Sequence, residues 1–583
     1  MIGLNKIGLN QVQLNRLRLN APFPAYGKMA GGGGSGDGFP QLPGDVTRWH
    51  FGGLTNEMMA AMDDPRIEDA DHKGRFLSFK NFAWGGMSGV GGYVDNWNSS
   101  ADWDINSYWV NSHTDHKLQF ITAGSVVQAR SNNIYNAENV YKNILNVNGL
   151  TEAVNKGAVG GLRISAVDPI TSKTIKSFSF KTDGIIQISF DDVLQDYFVA
   201  YLLYGNNTKD IDITIEQLPL YPGALVFDGV DDYGTCDNFP VLTKEKGYTV
   251  VALRKWLTPE TKTINEVLLG NFKNNPIWTS DNLGAFQFEV KYNVSKKVQT
   301  DSFGMGNNIT LNNNHLFSYQ ISNSYNGSIL RLGSNVGGNF FTVGCGGDQF
   351  YSNVAIWELV FLDHDATEEE LTKIKDYFVK TYPWLFPDQA WTVVGKTNED
   401  EDRATIANIT GNGNDLILSN FGFAEGSGYN EQGEYAGYLV TDGVDDKITS
   451  SIFEMGNDWT VIGDWELINT GKKDNAGIVK FDSIVIYNYN PILINIKNGR
   501  NNLIPDQNTV NAICSDGRIY SKDWKESIYN EETESTSKNL LTIGYSGNSY
   551  TKIAFKNLAI YPTVLSKEDC IKAYNYLQTL KAK

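Results

Sequence analysis

Short runs in which apolar and polar residues alternate, separated by Asn, Asp and Gly, fill much of this chain. A period of two puts alternate side chains on one buried face, as in the strands of antiparallel sheets. Between about residues 116 and 217 the runs Leu118–Ile121, Gly161–Val167, Lys176–Lys181, Ile185–Phe190, Phe198–Tyr204 and Ile211–Leu218 have strand length. Thr182-Asp183-Gly184 and Gly205-Asn206-Asn207 punctuate them as turns. Strands at this spacing predict a small antiparallel sandwich or jelly roll, with a short helix somewhere in 136–158.

The first twenty residues follow a different rhythm: four five-residue units, MIGLN, KIGLN, QVQLN and RLRLN. Ile2, Ile7, Val12 and Leu17 stand second in each unit, Leu4, Leu9, Leu14 and Leu19 fourth, and an Asn closes each. So short a segment cannot bury two apolar side chains per unit by itself, so it needs a partner surface or copies from other chains. The eight apolar residues therefore read as anchors of a docking arm. The alternative is a disordered tail, but such tails are poor in Leu and Ile. The glycine-rich stretch from Gly31 to Gly38 follows as a flexible linker and lacks the phosphate-loop pattern.

Residues 41–115 lack clear periodicity, and Trp49, Trp84, Trp97, Trp103 and Trp109 fall among glycines and turn residues. They read as the core of an irregular segment or as a subunit contact, with Trp97, Trp103 and Trp109 as the alternative of a flat platform for sugar rings. His113 and His116 flank Asp115, a spacing too common to mark a metal site.

The strongest signal is a duplication. Asp228-Gly229-Val230-Asp231-Asp232 recurs as Asp442-Gly443-Val444-Asp445-Asp446. Tyr248-Thr249-Val250-Val251 then matches Trp459-Thr460-Val461-Ile462, and Thr342-Val343-Gly344 matches Thr542-Ile543-Gly544. Each copy closes with a strand, Val354-Ala355-Ile356 or Ile553-Ala554-Phe555, and a capped amphipathic helix. Thr367 to Glu370 and Ser566 to Asp569 have capping-box spacing. Leu371, Ile374, Tyr377 and Phe378, and in copy two Cys570, Ala573, Tyr576 and Leu577, form one apolar face.

This pattern resembles the laminin-G-like or concanavalin-A-like lectin family, in which a D-G-x-D-D-[YF] motif follows the first strand. Tandem sandwiches of this kind, with the lead segment from Asp388 to Phe423, resemble parts of phage and prophage structural proteins of gut Bacteroidota. The pattern along the chain and this resemblance together predict a mainly β, multidomain chain: an arm and linker at 1–40, the irregular segment at 41–115 and a small sandwich at 116–216, as read from the residues, and lectin-like sandwiches at 217–385 and 386–583, as the resemblance implies. It implies a virion protein, a fibre or decoration of head, collar or tail. Such a protein would bind other virion proteins through its arm, meet cell-surface glycan, and assemble as a homo-oligomer, with a trimer expected. A bacterial surface polysaccharide-binding protein and a glycoside hydrolase on the same fold are the alternatives.

Asp228, Asp231 and Asp232, and Asp442, Asp445 and Asp446, admit two readings. Three acids within five residues can hold Ca²⁺, as some members of the resembled family do, and they can equally cap the backbone of a tight Asp-Gly turn. Copy two carries Lys447 where the family has an aromatic residue. Otherwise no cofactor is expected. Neither an E-x-D-x-E strand nor a G-x-S-x-G elbow stands out, so no catalytic residues and no enzyme are expected.

Charge and composition narrow the partners. A formal charge of −18 argues against an extended nucleic-acid footprint. Cys236, Cys345, Cys514 and Cys570 have neither metal-ligand spacing nor the density of a disulfide framework, and read as small buried thiols. The N-terminus does not look like a signal peptide, and no apolar run approaches a membrane span. The expectation is synthesis in the host cytoplasm, no membrane insertion, and residence in the virion.

Overall fold

The computed structural model describes residues 38–582 except 137–139, 191–192, 206–207, 237–238, 240–246, 258–265, 271–286, 295–296, 302–308, 311–315, 322–340, 345–350, 432–434, 469–476, 482–483, 488–491, 497–499, 505–509, 522–523, 529–538 and 547–548. The eight arm residues from Ile2 to Leu19 lie outside it, as does Cys345. The fold is mainly β, with antiparallel sheets grouped into sandwiches. The chain forms two compact units, one from described residues in Met1–Trp84, Phe227–Ile309 and Phe317–Phe378, the other from Gly85–Val226, Thr310–Leu316 and Val379–Lys583.

In the first unit the strands Phe317–Ile321, Thr249–Trp256 and Asn353–Leu362 are neighbours, and Val46–His50 pairs with Asn353–Leu362. The second sheet runs Arg66–Glu68, Phe76–Lys80, Tyr233–Cys236, Phe341–Val343, Glu266–Gly270, Gln287–Val294 and Lys297–Asp301. Helix Glu368–Thr381 follows, capped as its sequence predicts: the N–H of Glu370 donates to Thr367 Oγ1 at 3.2 Å and the N–H of Thr367 to Glu370 Oε2 at 2.8 Å. Its Leu371, Ile374, Tyr377 and Phe378 are buried.

The second unit holds two sandwiches. In one, Thr174–Phe180, Gly161–Val167, Phe198–Tyr204, Ala129–Ser131 and Trp103–Ile105 form one sheet. Gly184–Ser189, Lys142–Asn148, Ile213–Gln217, Lys117–Phe120 and Val110–His113 form the other. Their inward residues make one core that includes Trp97 and Trp103. The other sandwich has sheets of eight strands each, one centred on Ile553–Tyr561 and Thr460–Leu467, the other on Lys447–Phe453 and Asn539–Ile543.

The residues before 116 depart from the irregular segment expected there. Val46–His50, Arg66–Glu68 and Phe76–Lys80 are regular strands of the first unit, and Trp49 is fully buried, stacked on Phe239 at 6.0 Å and edge to face with Phe361 at 5.8 Å. They repeat, strand for strand, the lead of copy two. Val46–His50 joins Asn353–Leu362 as Gln389–Thr392 joins Ile553–Tyr561. Lys80 pairs with Tyr233 as Ser419 pairs with Lys447, and Gly89 with Val226 as Gly428 with Val440. Even the β-bulge recurs, between Leu253 and Arg254 and between Asp464 and Trp465. Copy one thus begins near residue 45, and the small sandwich is an insertion in its sequence. The insertion occupies the connection that in copy two is the short link between Asn430 and Tyr438. The small sandwich also begins earlier than residue 116, because Trp103–Ile105 and Val110–His113 belong to its sheets.

Candidate functional site

The two acidic motifs each follow a short strand and turn the chain back into the next one. In copy one the carboxylate of Asp228 accepts from the N–H of Val230 at 2.7 Å and of Asp231 at 3.4 Å, and the N–H of Asp228 donates to Asp232 Oδ2 at 3.0 Å. In copy two Asp442 accepts from Val444 at 2.7 Å and Asp445 at 3.3 Å, and its N–H donates to Asp446 Oδ2 at 2.7 Å. The first acid is half-buried, the second exposed and the third buried in both copies. Gly229 and Gly443 both sit at φ 76°, where a side chain would be strained. A Cβ there would also meet the backbone nitrogen of Asn353 or Lys552 at 3.0 Å.

The sequence pattern brings each trio together: in each copy one carboxylate oxygen per residue falls within 4.8 Å of the others. The first and third acids each accept from backbone N–H groups, the arrangement of an Asx turn. In copy two Ser427 Oγ also donates to Asp446 Oδ1 at 3.1 Å. Burial raises the Asp446 carboxyl to about 6; the bonds from Asp442 N–H and Ser427 oppose this, and the neighbouring Asp442 and Asp445 charges add to it. Lys447 takes up a new contact: its ammonium stands 5.0 Å from the centre of the Tyr545 ring and 5.9 Å from that of Tyr550.

A partner of both turns went unread in the sequence. Asn81 Nδ2 donates to the carbonyl of Asp231 at 3.0 Å, and Asn420 Nδ2 to that of Asp445 at 2.9 Å. Each opens a matching stretch, Asn81-Phe82-Ala83-Trp84 and Asn420-Phe421-Gly422-Phe423, followed by Ser88-Gly89 and Ser427-Gly428. That short motif was the available signal.

Of the three tryptophans offered as a sugar platform, Trp97 and Trp103 are in the core, with rings edge to face at 6.2 Å. Trp109 is half-buried beside Tyr108, which is 74% exposed, and their rings meet edge to face at 4.9 Å. The carbonyl of Asn106 accepts from the N–H groups of Trp109 and Val110, both at 3.0 Å, and so shapes this turn. Gly124 leaves room for the Trp109 ring, since a Cβ there would come within 2.5 Å of it. The N–H of Asn106 donates to the carbonyl of Gln128 at 2.9 Å, bringing exposed Val126 and Val127 to the same edge. His113 is exposed, and His116 Nδ1 lies 2.8 Å from Asp115 Oδ1. Among the described residues no helix is long and apolar enough to cross a membrane.

No protein-family model matches the chain, and no curated protein matches it. Solved structures with some likeness include Trypanosoma rangeli sialidase, at 8% identity and a TM-score of 0.25 over 39% of this chain and 41% of that one. The same sialidase in complex with sialic acid aligns at 7% identity and a TM-score of 0.25, over 79% of this chain and 82% of that one. The botulinum neurotoxin serotype D binding domain aligns at 12% identity and a TM-score of 0.20, over 60% of this chain and 90% of that one. The first alignment spans about two-fifths of the sialidase's length. Likeness this slight transfers neither site nor activity.

Proposed function

We propose that this chain is a non-enzymatic structural protein of a phage or prophage particle, a fibre or decoration, that holds lectin-like sandwiches out toward host glycan. The observation that carries the non-enzymatic part is the use of the acids. In both copies Asp228 and Asp232, or Asp442 and Asp446, accept the N–H groups of one and the same turn. Most glycoside hydrolases need two carboxyl groups that flank the scissile bond and are free to exchange protons with it. The duplication preserves the turn and its Asn partner, which is how a scaffold is repeated.

The virion part rests on the family resemblance of the tandem repeat and on the five-residue rhythm of the arm, whose apolar residues need a partner surface. Glycan adhesion by the lectin-like sandwiches rests on the family resemblance, and the Tyr108 and Trp109 edge of the small sandwich adds a flat aromatic face that fits a pyranose ring.

Mass spectrometry of purified particles from an induced culture tests the assignment. The chain is expected at stoichiometric copy number. Its absence there, with recovery from the cell envelope, would overturn the virion assignment in favour of a surface polysaccharide-binding protein. A glycan array with the full chain and a Trp109→Ala variant tests adhesion, and binding unaffected by the substitution would remove this edge from the reading.

A further inference from the structure

Copy two differs from copy one at one pair of positions that carries chemistry. Cys514 ends the strand Val510–Cys514, and Cys570 lies in the closing helix Lys567–Gln578. Cys514 pairs with Thr460 as Ile321 pairs with Thr249, so Cys514 takes the place of Ile321. Cys570 lies four residues after the capping Ser566, as Leu371 lies four after Thr367, so it takes the place of Leu371. Two apolar side chains have become two thiols.

Both thiols are fully buried, and they flank one hydrogen bond between sheet and helix lead, from the N–H of Leu565 to Thr460 Oγ1. The surrounding bonds fix the approach of helix to sheet. Thr460 Oγ1 lies 3.7 Å from Cys514 Sγ and accepts from the N–H of Leu565 at 2.9 Å. The Leu565 carbonyl accepts from Cys570 Sγ at 4.0 Å and from Arg518 Nη2 at 3.0 Å. The neighbouring Cys570 thiol draws the Cys514 thiol below its ordinary value; burial opposes this, and Thr460 and the Arg518 charge support it. Thr460 and Arg518 lie on the same sheet as Cys514 and stay beside it when the helix is undocked, so Cys514 supplies the attacking sulfur.

We infer that Cys514 and Cys570 form a disulfide that pins the C-terminal helix to its sheet when the protein folds in contact with an oxidised low-molecular-weight thiol. The Cys514 thiolate attacks one sulfur of the small disulfide, forming a mixed disulfide and expelling one small thiolate. Cys570 then loses its proton and attacks the Cys514 sulfur. The protein S–S bond forms, and the second small thiolate leaves. The two protein thiols are oxidised by two electrons, the small disulfide is reduced to two thiols, and the two protons lost by the protein protonate the leaving thiolates. Because both sulfurs are buried, exchange takes place while the helix is undocked, during folding or local opening.

The experiment refolds the full chain in a buffer of reduced and oxidised glutathione, alkylates free thiols, and maps peptides without reduction. The expected result is a peptide pair joining Cys514 to Cys570, an intact mass about 2 Da lower, and free thiols at Cys236 and Cys345. The oxidised protein should melt on the order of 5 °C higher than the reduced one, and the paired variant with Cys514→Ala and Cys570→Leu should show no such difference. All four thiols alkylated after refolding, or a bridge to Cys236 or Cys345 instead, would overturn the inference. The mapping uses the natural chain, so it stands even where the variant fails to fold.

Discussion

Asn420 donates its side-chain amide to the carbonyl of Asp445 at 2.9 Å from a backbone held at φ 70°. Asn81 stands to Asp231 in the same way, at 3.0 Å and φ 67°. Asn tolerates this left-handed conformation better than most residues and supplies the donor that ties the lead to the acidic turn. Asn420→Ala loses both and is expected to destabilise the sandwich of copy two by about 1–2 kcal/mol. Asn420→Gly keeps the conformation and loses only the bond, so it should cost about half as much. Urea midpoints of the two variants check this order, and equal costs would show that the amide, not the backbone, carries the effect.

Much of the fold was legible. Gly161–Val167 and Phe198–Tyr204 are strands over the residues their alternation predicts. The predicted helix within 136–158 shrinks to Leu150–Asn155, because Lys142–Asn148 takes a central place in a sheet. The lead of copy one was not legible. Val46–His50 finds its partner some three hundred residues later, at Asn353–Leu362, and no local pattern reports a pairing that distant. In copy two the lead lies directly before its acidic turn, while in copy one the small sandwich stands between. The acidic trios were legible as clusters, but the sequence could not tell a turn from a cation site, because that depends on where each carboxylate points.

The lead is load-sharing structure in copy one, and truncation should expose this. A fragment of residues 217–385 lacks Val46–His50 and Phe76–Lys80, which leaves the edges of Asn353–Leu362 and Tyr233–Cys236 bare. Bare edges and a missing Trp49 predict aggregation of the fragment in place of folding. Within the full chain Trp49→Ala removes a fully buried indole and should cost about 3–5 kcal/mol. A soluble, cooperatively melting fragment 217–385 would contradict this.

Under the helix of copy one, Glu358 is fully buried and closes a polar cluster. Its carboxylate accepts from Tyr377 Oη at 3.0 Å and lies 3.4 Å from Arg48 Nη1, and His50 Nδ1 is 2.8 Å away. Arg48 also donates to Tyr377 Oη at 3.0 Å. Glu358→Ala strips the buried guanidinium of its counter-charge and is expected to cost about 3–5 kcal/mol. Tyr377→Phe removes one hydroxyl and should cost about 1 kcal/mol. Thermal melts of the two variants separate a charge cluster that supports the fold from one that is neutral to it.

Asp95 is buried in the small sandwich, where Tyr141 Oη donates to it at 2.7 Å and Asn143 Nδ2 at 2.9 Å. Burial raises its carboxyl to about 7, only partly offset by these donors. The native state therefore holds a proton that the unfolded chain releases near pH 4. The stability from that proton is complete below about pH 4. It fades as pH rises through about 7, a loss on the order of 4 kcal/mol. Asp95→Asn should abolish the slope. Hydrogen exchange on Lys142–Asn148, followed from pH 5 to 8 with correction for the intrinsic rate, reads this one sandwich of a multidomain chain. A flat profile in the natural protein would mean that Asp95 is ionised throughout.

The sign of a pH dependence also decides between turn and cation site at Asp446. In the turn reading its carboxyl is raised to about 6 by burial, so the stability it contributes is full below the unfolded value and declines as pH rises through about 6. Bound Ca²⁺ would demand the ionised carboxylate and reverse that slope, giving more stability at higher pH. Asp446→Asn keeps an oxygen to accept the N–H of Asp442, which now bonds at 2.7 Å, and removes the charge. It is therefore expected to gain on the natural protein as pH rises from 4 to 7, and millimolar Ca²⁺ should shift the melting temperature of either protein by less than about 1 °C. A Ca²⁺-dependent rise of several degrees in the natural protein, lost in Asp446→Asn, would make the acidic turn of copy two a calcium site.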